Sequence, residues 1–181
     1  CFAPTGIAGR ARNDACPTVR LVGGGDVAPL VVGRMPTMDS KKIGKFAEDA
    51  MRIADKKIEL SLGSVQNVDR IKQDTGFDLS GFERILDNYG VRHTIKSHGN
   101  EVAEAKRGQI AVTLADIERI PAIVSSPDRV FTDGKNKIGR DVIVFTKVID
   151  GIGYRHVEEI RPKGKLVAAD SMRKKSGAWE K

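Results

Sequence analysis

The sequence predicts an α+β fold, with helices first and a small antiparallel β-meander behind them. Two patterns carry this reading. Between Ser40 and Ile58 apolar residues return at spacings of three and four, the period of a helix with one buried face. From Arg129 onward the period changes to runs rich in Val, Ile and Phe, separated by the turn sequences Asp150-Gly151-Ile152-Gly153 and Pro162-Lys163-Gly164. Helices followed by hairpin-linked strands is the α+β order, and 181 residues fit one such domain with an appendage.

Residues 1–38 stand apart as that appendage. Gly23-Gly24-Gly25 and Pro4, Pro17, Pro29 and Pro36 break up short apolar runs, the composition of a flexible linker or adapter. The triple glycine lacks the Gly-Lys-Ser/Thr ending of a phosphate loop. Both cysteines, Cys1 and Cys16, lie here, so the remaining domain, 39–181, needs no disulfide and has no thiolates for a zinc site. The pair is able to close a small loop in an oxidising compartment, though nothing requires it. A chain that starts on Cys1 rather than Met reads as a piece cut from something longer.

The first helix of the domain is expected within 39–63. Ile43, Phe46, Ala47, Ala50, Ile53, Ala54 and Ile58 form its packing stripe, lysines and Glu48 cover the other side, and Asp39 or Ser40 caps it. Gly63 ends the segment that follows. After a polar stretch from Gln66 to Gly76, Ser80-Gly81-Phe82-Glu83 matches a capping box, so a helix carrying Phe82, Ile85, Leu86 and Tyr89 is expected up to Gly90.

Gly90 to Gly99 holds two of the three histidines, His93 and His98, with Lys96 and Ser97 between them. Imidazole exchanges protons near neutral pH, so the group is a plausible acid–base set. As a helix of about two turns it would place Lys96 and Ser97 one turn after His93. Gly99 would close it in the left-handed conformation. His98 would then meet the negative end of the helix dipole, which favours imidazolium. Two surface histidines on a basic helix is the plainer alternative. Arg107-Gly108-Gln109 follows in a loop, where an arginine is free to reach a phosphate. Thr113-Leu114-Ala115-Asp116 starts another helix, with Val112 and Ile117 placed as a hydrophobic staple and Pro121 disturbing or ending it.

Asp141 to Ile149, apolar on both faces, reads as a central strand, followed by strands Tyr154 to Arg161 and Lys165 to Met172. If Ile149 faces Tyr154 and Arg161 faces Lys165, then Lys147, His156 and Asp170 form one row. Thr146, Arg155, Glu159, Arg161, Lys165 and Ser171 share the opposite face, unless a slip or bulge reassigns them. Lys147, a charge inside an apolar run, marks either a sheet edge or a working site.

Thirty-one basic against 24 acidic residues give a net charge of +7, compatible with an anionic partner, nucleic acid first and a membrane surface second. No apolar run reaches the length of a membrane span. Aromatics make up only 5%, too few for a base-stacking platform.

The order of these motifs resembles the phage- and toxin-associated nucleases of the barnase/EndoU/colicin/RelE-like superfamily, over about 78–174. The motifs are the His98-Gly99 segment, Arg107-Gly108-Gln109, Asp116 to Pro121, the strand with Lys147, and the final Asp170-Ser171-Met172-Arg173-Lys174. That family tends to carry a hydroxyl residue followed by a basic one on its last strand. No single motif is highly specific. The resemblance implies a helical part on a small antiparallel sheet and a metal-independent ribonuclease without cofactor, tRNA among its conceivable substrates. It also implies the C-terminal cargo of a larger phage or secreted toxin, acting in the cytoplasm of a target bacterium and held by an acidic cognate immunity protein.

Such a reaction needs a base for the 2′-hydroxyl, an acid for the leaving oxygen, and cations for the added negative charge. His98 and Lys147 rank first for catalysis, then His93 and Ser171. Arg107, Lys96, Thr146, Arg173 and Lys174 are the candidates for holding RNA phosphates, and His156 is weaker because a strand histidine beside Asp170 is often satisfied structure. The alternative is a non-catalytic nucleic-acid-binding or phage virion domain whose histidines are incidental.

Overall fold

A computed structural model describes residues 39–180; the expectations for residues 1–38, including Cys1 and Cys16, lie outside them. Helix α1 (Ser40–Arg52) begins where Asp39 accepts from the Lys41 amide and buries Ile43, Ala47 and Ala50. It ends one turn earlier than its apolar stripe suggests. Ile58 belongs to the approach to β1 (Glu59–Ser64), an edge strand with a left-handed Gly63 at its irregularity. The polar stretch after it contains α2 (Val68–Thr75), which buries only Ile71.

Strand β2 (Glu83–Asp87) occupies the segment expected to be helical. Its apolar residues pair on both sides, Leu60 with Leu86 on β1 and Ile85 with Ala168 on β6 (Leu166–Ser176). These contacts override the local capping-box pattern. The helix starts five residues later, as α3 (Asn88–His98), where the Asp87 carboxylate accepts from the Gly90 amide (2.8 Å). Short helices α4 (Glu101–Ala105), α5 (Leu114–Ile117) and α6 (Ile120–Ser125) follow. Thr113 and Asp116 cap α5 as expected, and Val112 and Ile117 are both buried. Pro121 sits in the first turn of α6, where its missing N–H costs nothing, so it helps open a helix and does not end α5, which stops before it at Ile117.

Strands β3 (Arg129–Lys135), β4 (Asp141–Ile149) and β5 (Ile152–Arg161) complete a six-stranded sheet in the order β1-β2-β6-β5-β4-β3. Only β2–β6 is parallel. The meander β4–β5–β6 is present, but strands β1 and β2 stand among the helices, and they make the sheet larger and mixed.

The register differs from the expectation by two residues at the first turn. Asp150 and Gly151 both take positive φ and form a two-residue hairpin, so Ile149 faces Ile152 and Lys147 faces Tyr154. A shift of two preserves faces. Thr146, Arg155, Glu159 and Arg161 therefore do share one face, while Lys147 and His156 share the other without being opposite each other. The row that was to join Lys147, His156 and Asp170 does not form. Lys165, with φ of 50°, belongs to the turn. Asp170 is the extra residue of a bulge on β6, between Ala169 opposite Glu158 and Ser171 opposite Val157.

One face of the sheet packs on the helices through Ile143, Phe145, Tyr154, Ile160, Val167 and Met172. The opposite face carries a separate small cluster, Val142, Val144 and Val157 with Phe131. Strand β2 covers β6 only from Leu166 to Ala168. Beyond that, α3 lies against β6 so closely that a Cβ on Gly90 would stand 2.0 Å from the Ala169 carbonyl oxygen. This contact aims the end of α3 at the functional groups of β6.

Candidate active site

Where α3, the α4 loop and β6 converge, an open cleft of about 670 Å³ forms. His93, Ser97 and His98 come from α3, Arg107 from the loop, and Asp170, Ser171 and Arg173 from the bulged part of β6. The tip of the β3–β4 hairpin, Lys135 to Ile138, forms the far wall. Glu159 secures that wall by accepting from Asn136 (2.7 Å) and Arg140 (2.5 Å), and it also takes Arg161 (2.6 Å). Arg107 and Lys135 of the lining are paired with Glu104 and Asp141, and Glu159 with Arg140 and Arg161, which leaves Lys137 and Arg173 against Asp170. The cleft suits an anion.

His98 is the organised group of the cleft. Its Nδ1 lies 3.4 Å from Oε1 of Glu104, a fully buried carboxylate that also pairs with Arg107. Asn100 caps α4 by accepting from the Ala103 amide, and this places Glu104 beneath the end of α3. On the other ring nitrogen, Arg173 Nε donates to His98 Nε2 (3.4 Å). Burial and the Arg173 charge push the imidazole below its ordinary range, against the opposing pull of Glu104. This reverses the expectation that the helix dipole favours imidazolium. Gly99 too is not left-handed (φ −95°); it is needed because a Cβ there would meet the Ile95 carbonyl oxygen at 2.4 Å. The neutral tautomer that suits both contacts keeps the proton on Nδ1 toward Glu104 and leaves the Nε2 lone pair to accept from Arg173 at the cleft wall. Buried Glu104 was missed from sequence, although an acid one turn into the helix after His98 is a readable signal.

Burial raises the Asp170 carboxyl, partly offset by the charge of His93. His93 itself is exposed at the cleft edge. Burial, then the neighbouring Arg155, lowers Arg173. His98, His93, Ser171, Arg107 and Arg173 are thus brought together, and Asp170, Glu159 and the hairpin lysines join them.

Five other candidates fall elsewhere. Lys147 and Lys174 lie on the helix-covered face. Lys147 donates to the Ser126 carbonyl at the end of α6, and Lys174 pairs with Asp116 (2.7 Å), which also accepts from the Tyr154 hydroxyl (3.0 Å). Lys96 is exposed on α3 outside the cleft lining. Thr146 is buried on the same face as Arg173 and is not part of the lining. His156 lies in the core with Glu158 and Arg84, all three buried. Among the described residues, no three His, Cys, Asp or Glu side chains gather closely enough to hold a metal ion, and no helix is long and apolar enough to cross a membrane.

The model of one family, phage-Barnase-EndoU-ColicinE5/D-RelE like nuclease3, matches residues 63–181. The chain belongs to that nuclease family. The match takes in every strand that shapes the cleft, and its function is accordingly that of a nuclease acting on nucleic acid. No curated protein and no solved structure shows a significant match to the chain.

Proposed function

We propose that this nuclease is an endoribonuclease that cuts RNA without a metal, by transesterification in the His98 cleft. The observation that carries the reading is His98 itself: an imidazole oriented by a buried carboxylate, whose Nε2 meets the cleft through an arginine contact that a bound phosphate can draw away. When the phosphate binds Arg173 and draws it off Nε2, His98 Nε2 takes the 2′-hydroxyl proton as that oxygen bonds to phosphorus, and Glu104 stabilises the resulting imidazolium through Nδ1–H. The P–O5′ bond breaks, and His93 supplies the proton to the leaving oxygen. Arg173 and Arg107 hold the non-bridging oxygens, with the Ser171 hydroxyl donating a further hydrogen bond. Substrate also prepares its own base. An anionic phosphate compensates Arg173, whose charge depresses His98 in the free protein, so His98 gains basicity as RNA binds.

The donor set supports the metal-independent route, because the nucleophile's base and the charge stabilisers are all side chains of this cleft. Incubation with total RNA in EDTA, with tRNA as one defined substrate, should give fragments ending in 2′,3′-cyclic phosphate and 5′-hydroxyl. Cleavage only with a divalent ion, or intact RNA throughout, refutes this.

The wider reading is a toxin delivered with a phage or secreted polypeptide and acting in the cytoplasm of a target bacterium. It rests on the family's phage name and on the danger such an activity poses to its producer. An acidic immunity protein is the matching partner, since complementary charge speeds encounter with a basic cleft. Production of the chain in bacteria should be toxic, and the product of a neighbouring gene should rescue growth.

A further inference from the structure

The cleft has an extension on the open face of the sheet. Strand pairing aligns Arg129 on β3 with Thr146 on β4, Thr146 with Arg155 on β5, and Arg155 with Arg173 on β6. Residues aligned in this way share a face, and here it is the face opposite the helices. The row ends on the groups already described, because Arg173 donates to His98 Nε2. One line of side chains thus runs from the reacting histidine across four strands, with an arginine on three of them.

Several features suit this row to a strand of linked phosphates. At about 4.8 Å between neighbouring strands, three steps span roughly 14 Å, comparable to about four nucleotides at the ~3.4 Å rise of a stacked strand. Thr146 in the middle is buried and short, so the row is low between its cations. Arg129 is exposed and makes no ion pair among the described residues; its guanidinium lies 5.7 Å from the centroid of the Phe131 ring, an Arg-on-aromatic plane of the kind on which a base stacks. Arg155 pairs with exposed Asp133 (2.6 Å), a contact that a phosphate can replace. A structural role explains these arginines less well, since like charges in one row repel, and Arg155 is indeed among the causes that depress Arg173. An anion laid along the row relieves that repulsion.

We infer that Arg173, Arg155 and Arg129 form a phosphate-binding track that holds the RNA chain on one side only of the scissile bond. The inference rests on the ribonuclease reading for its substrate. It goes beyond that reading in assigning a direction and a length to the bound strand. The remainder of the cleft runs toward the tip of the β3–β4 hairpin, where Lys135 is already paired with Asp141 (2.8 Å).

The test uses the full chain with Arg129→Gln and the double variant R129Q/R155Q. A dinucleotide containing the cleaved bond is compared with the same dinucleotide lengthened at its 5′ end or at its 3′ end. Wild type should show a lower KM for one of the two lengthened substrates. The variants should lose that gain, the KM for the lengthened substrate returning to that for the bare dinucleotide. In parallel, binding of a 2′-O-methyl oligonucleotide, which cannot be cut, is followed against salt. Each lost arginine should shallow the slope of log K against log salt by about 0.7. An equal gain from both ends, or variants with wild-type slope and KM, overturns the track and leaves the ribonuclease reading standing. Wild-type protein that binds the oligonucleotide but cuts no RNA overturns the ribonuclease reading, and the slopes still decide the track. No binding by wild type overturns both.

Discussion

Two histidines of this nuclease are each hydrogen-bonded to a buried glutamate and accompanied by arginine, yet their surroundings differ. His156, Glu158 and Arg84 are at most 1% exposed and lie in the core, where Arg84 Nε meets Glu158 (2.8 Å) and its guanidinium rests 5.5 Å from the Phe145 ring centroid. Although burial opposes it, Arg84 and His156 hold the Glu158 carboxyl well below the carboxylate range. His98 has the same partners in kind, Glu104, Arg107 and Arg173, but Arg107 is 54% exposed and Arg173 faces the cleft. Residue types alone do not separate an acid–base group open to a cleft from one closed in the core. Access does: in the core the arginine is spent on its glutamate, and in the cleft one arginine is left to meet a phosphate.

The sharpest way to break the comparison is His98→Gln. If His98 is the base, cleavage should fall by roughly 10²–10⁴-fold with the denaturation midpoint little changed; near wild-type turnover would remove His98 from the mechanism. Glu158→Gln should show the inverse. Breaking a buried pair leaves Arg84 uncompensated and should cost about 3–5 kcal/mol of stability, read from urea unfolding, while the protein that remains folded cuts at close to the wild-type rate.

Glu104→Gln comes next. Loss of a charge-assisted hydrogen bond worth about 1.5–3 kcal/mol corresponds to roughly ten- to hundredfold in kcat/KM. Because Glu104 opposes the depression of His98, the acid limb of the pH profile, already below 6.5 in wild type, should move lower still. A limb that stays in place would mean that Glu104 does not act through the ring.

A smaller effect concerns stability. The His98 pKa is lower in the folded protein than the unfolded value of 6.5. Below 6.5 the unfolded chain binds the proton first, so stability is full above that pH. It declines as pH falls toward the folded pKa. His98→Gln should remove this component, visible as a flatter dependence of unfolding free energy on pH just below 6.5. The smallest effect is expected of Lys147→Met. It removes a contact to the Ser126 carbonyl on the helix-covered face, and cleavage should be essentially unchanged. A large loss of turnover with stability intact would return Lys147 to the site.

What could be read from sequence followed from how local its cause was. Helix α1 and strand β4 were legible because their apolar residues repeat within one element. Strand β2 was not, since Phe82, Ile85 and Leu86 suit a helix until β1 and β6 flank them. Helix α2 buries a single side chain, Ile71, and gives no period to detect. In the site, His98, Arg107, Ser171 and Arg173 came from motif order. The two-residue turn at Asp150-Gly151 moved Lys147 away from His156, and the bulge brought Asp170 to the cleft. The turn length was readable, since Asp150-Gly151 is the dipeptide of a two-residue hairpin with both φ positive; the bulge leaves no such signature. The separation of Arg173 from Lys174, neighbours in sequence with one on each face, follows directly from strand alternation.

The parallel pairing of β2 with β6 also bears on synthesis. Among the described residues strand β6 is made after the other five strands, yet it occupies an interior position, between β2 and β5. It also carries Asp170, Ser171 and Arg173. Until it emerges, β2 and β5 each present an unpaired edge, and the growing chain is exposed to association through those edges. The same order means that a nascent or truncated chain lacking β6 has His98 but not the cleft around it, which forms only when β6 arrives.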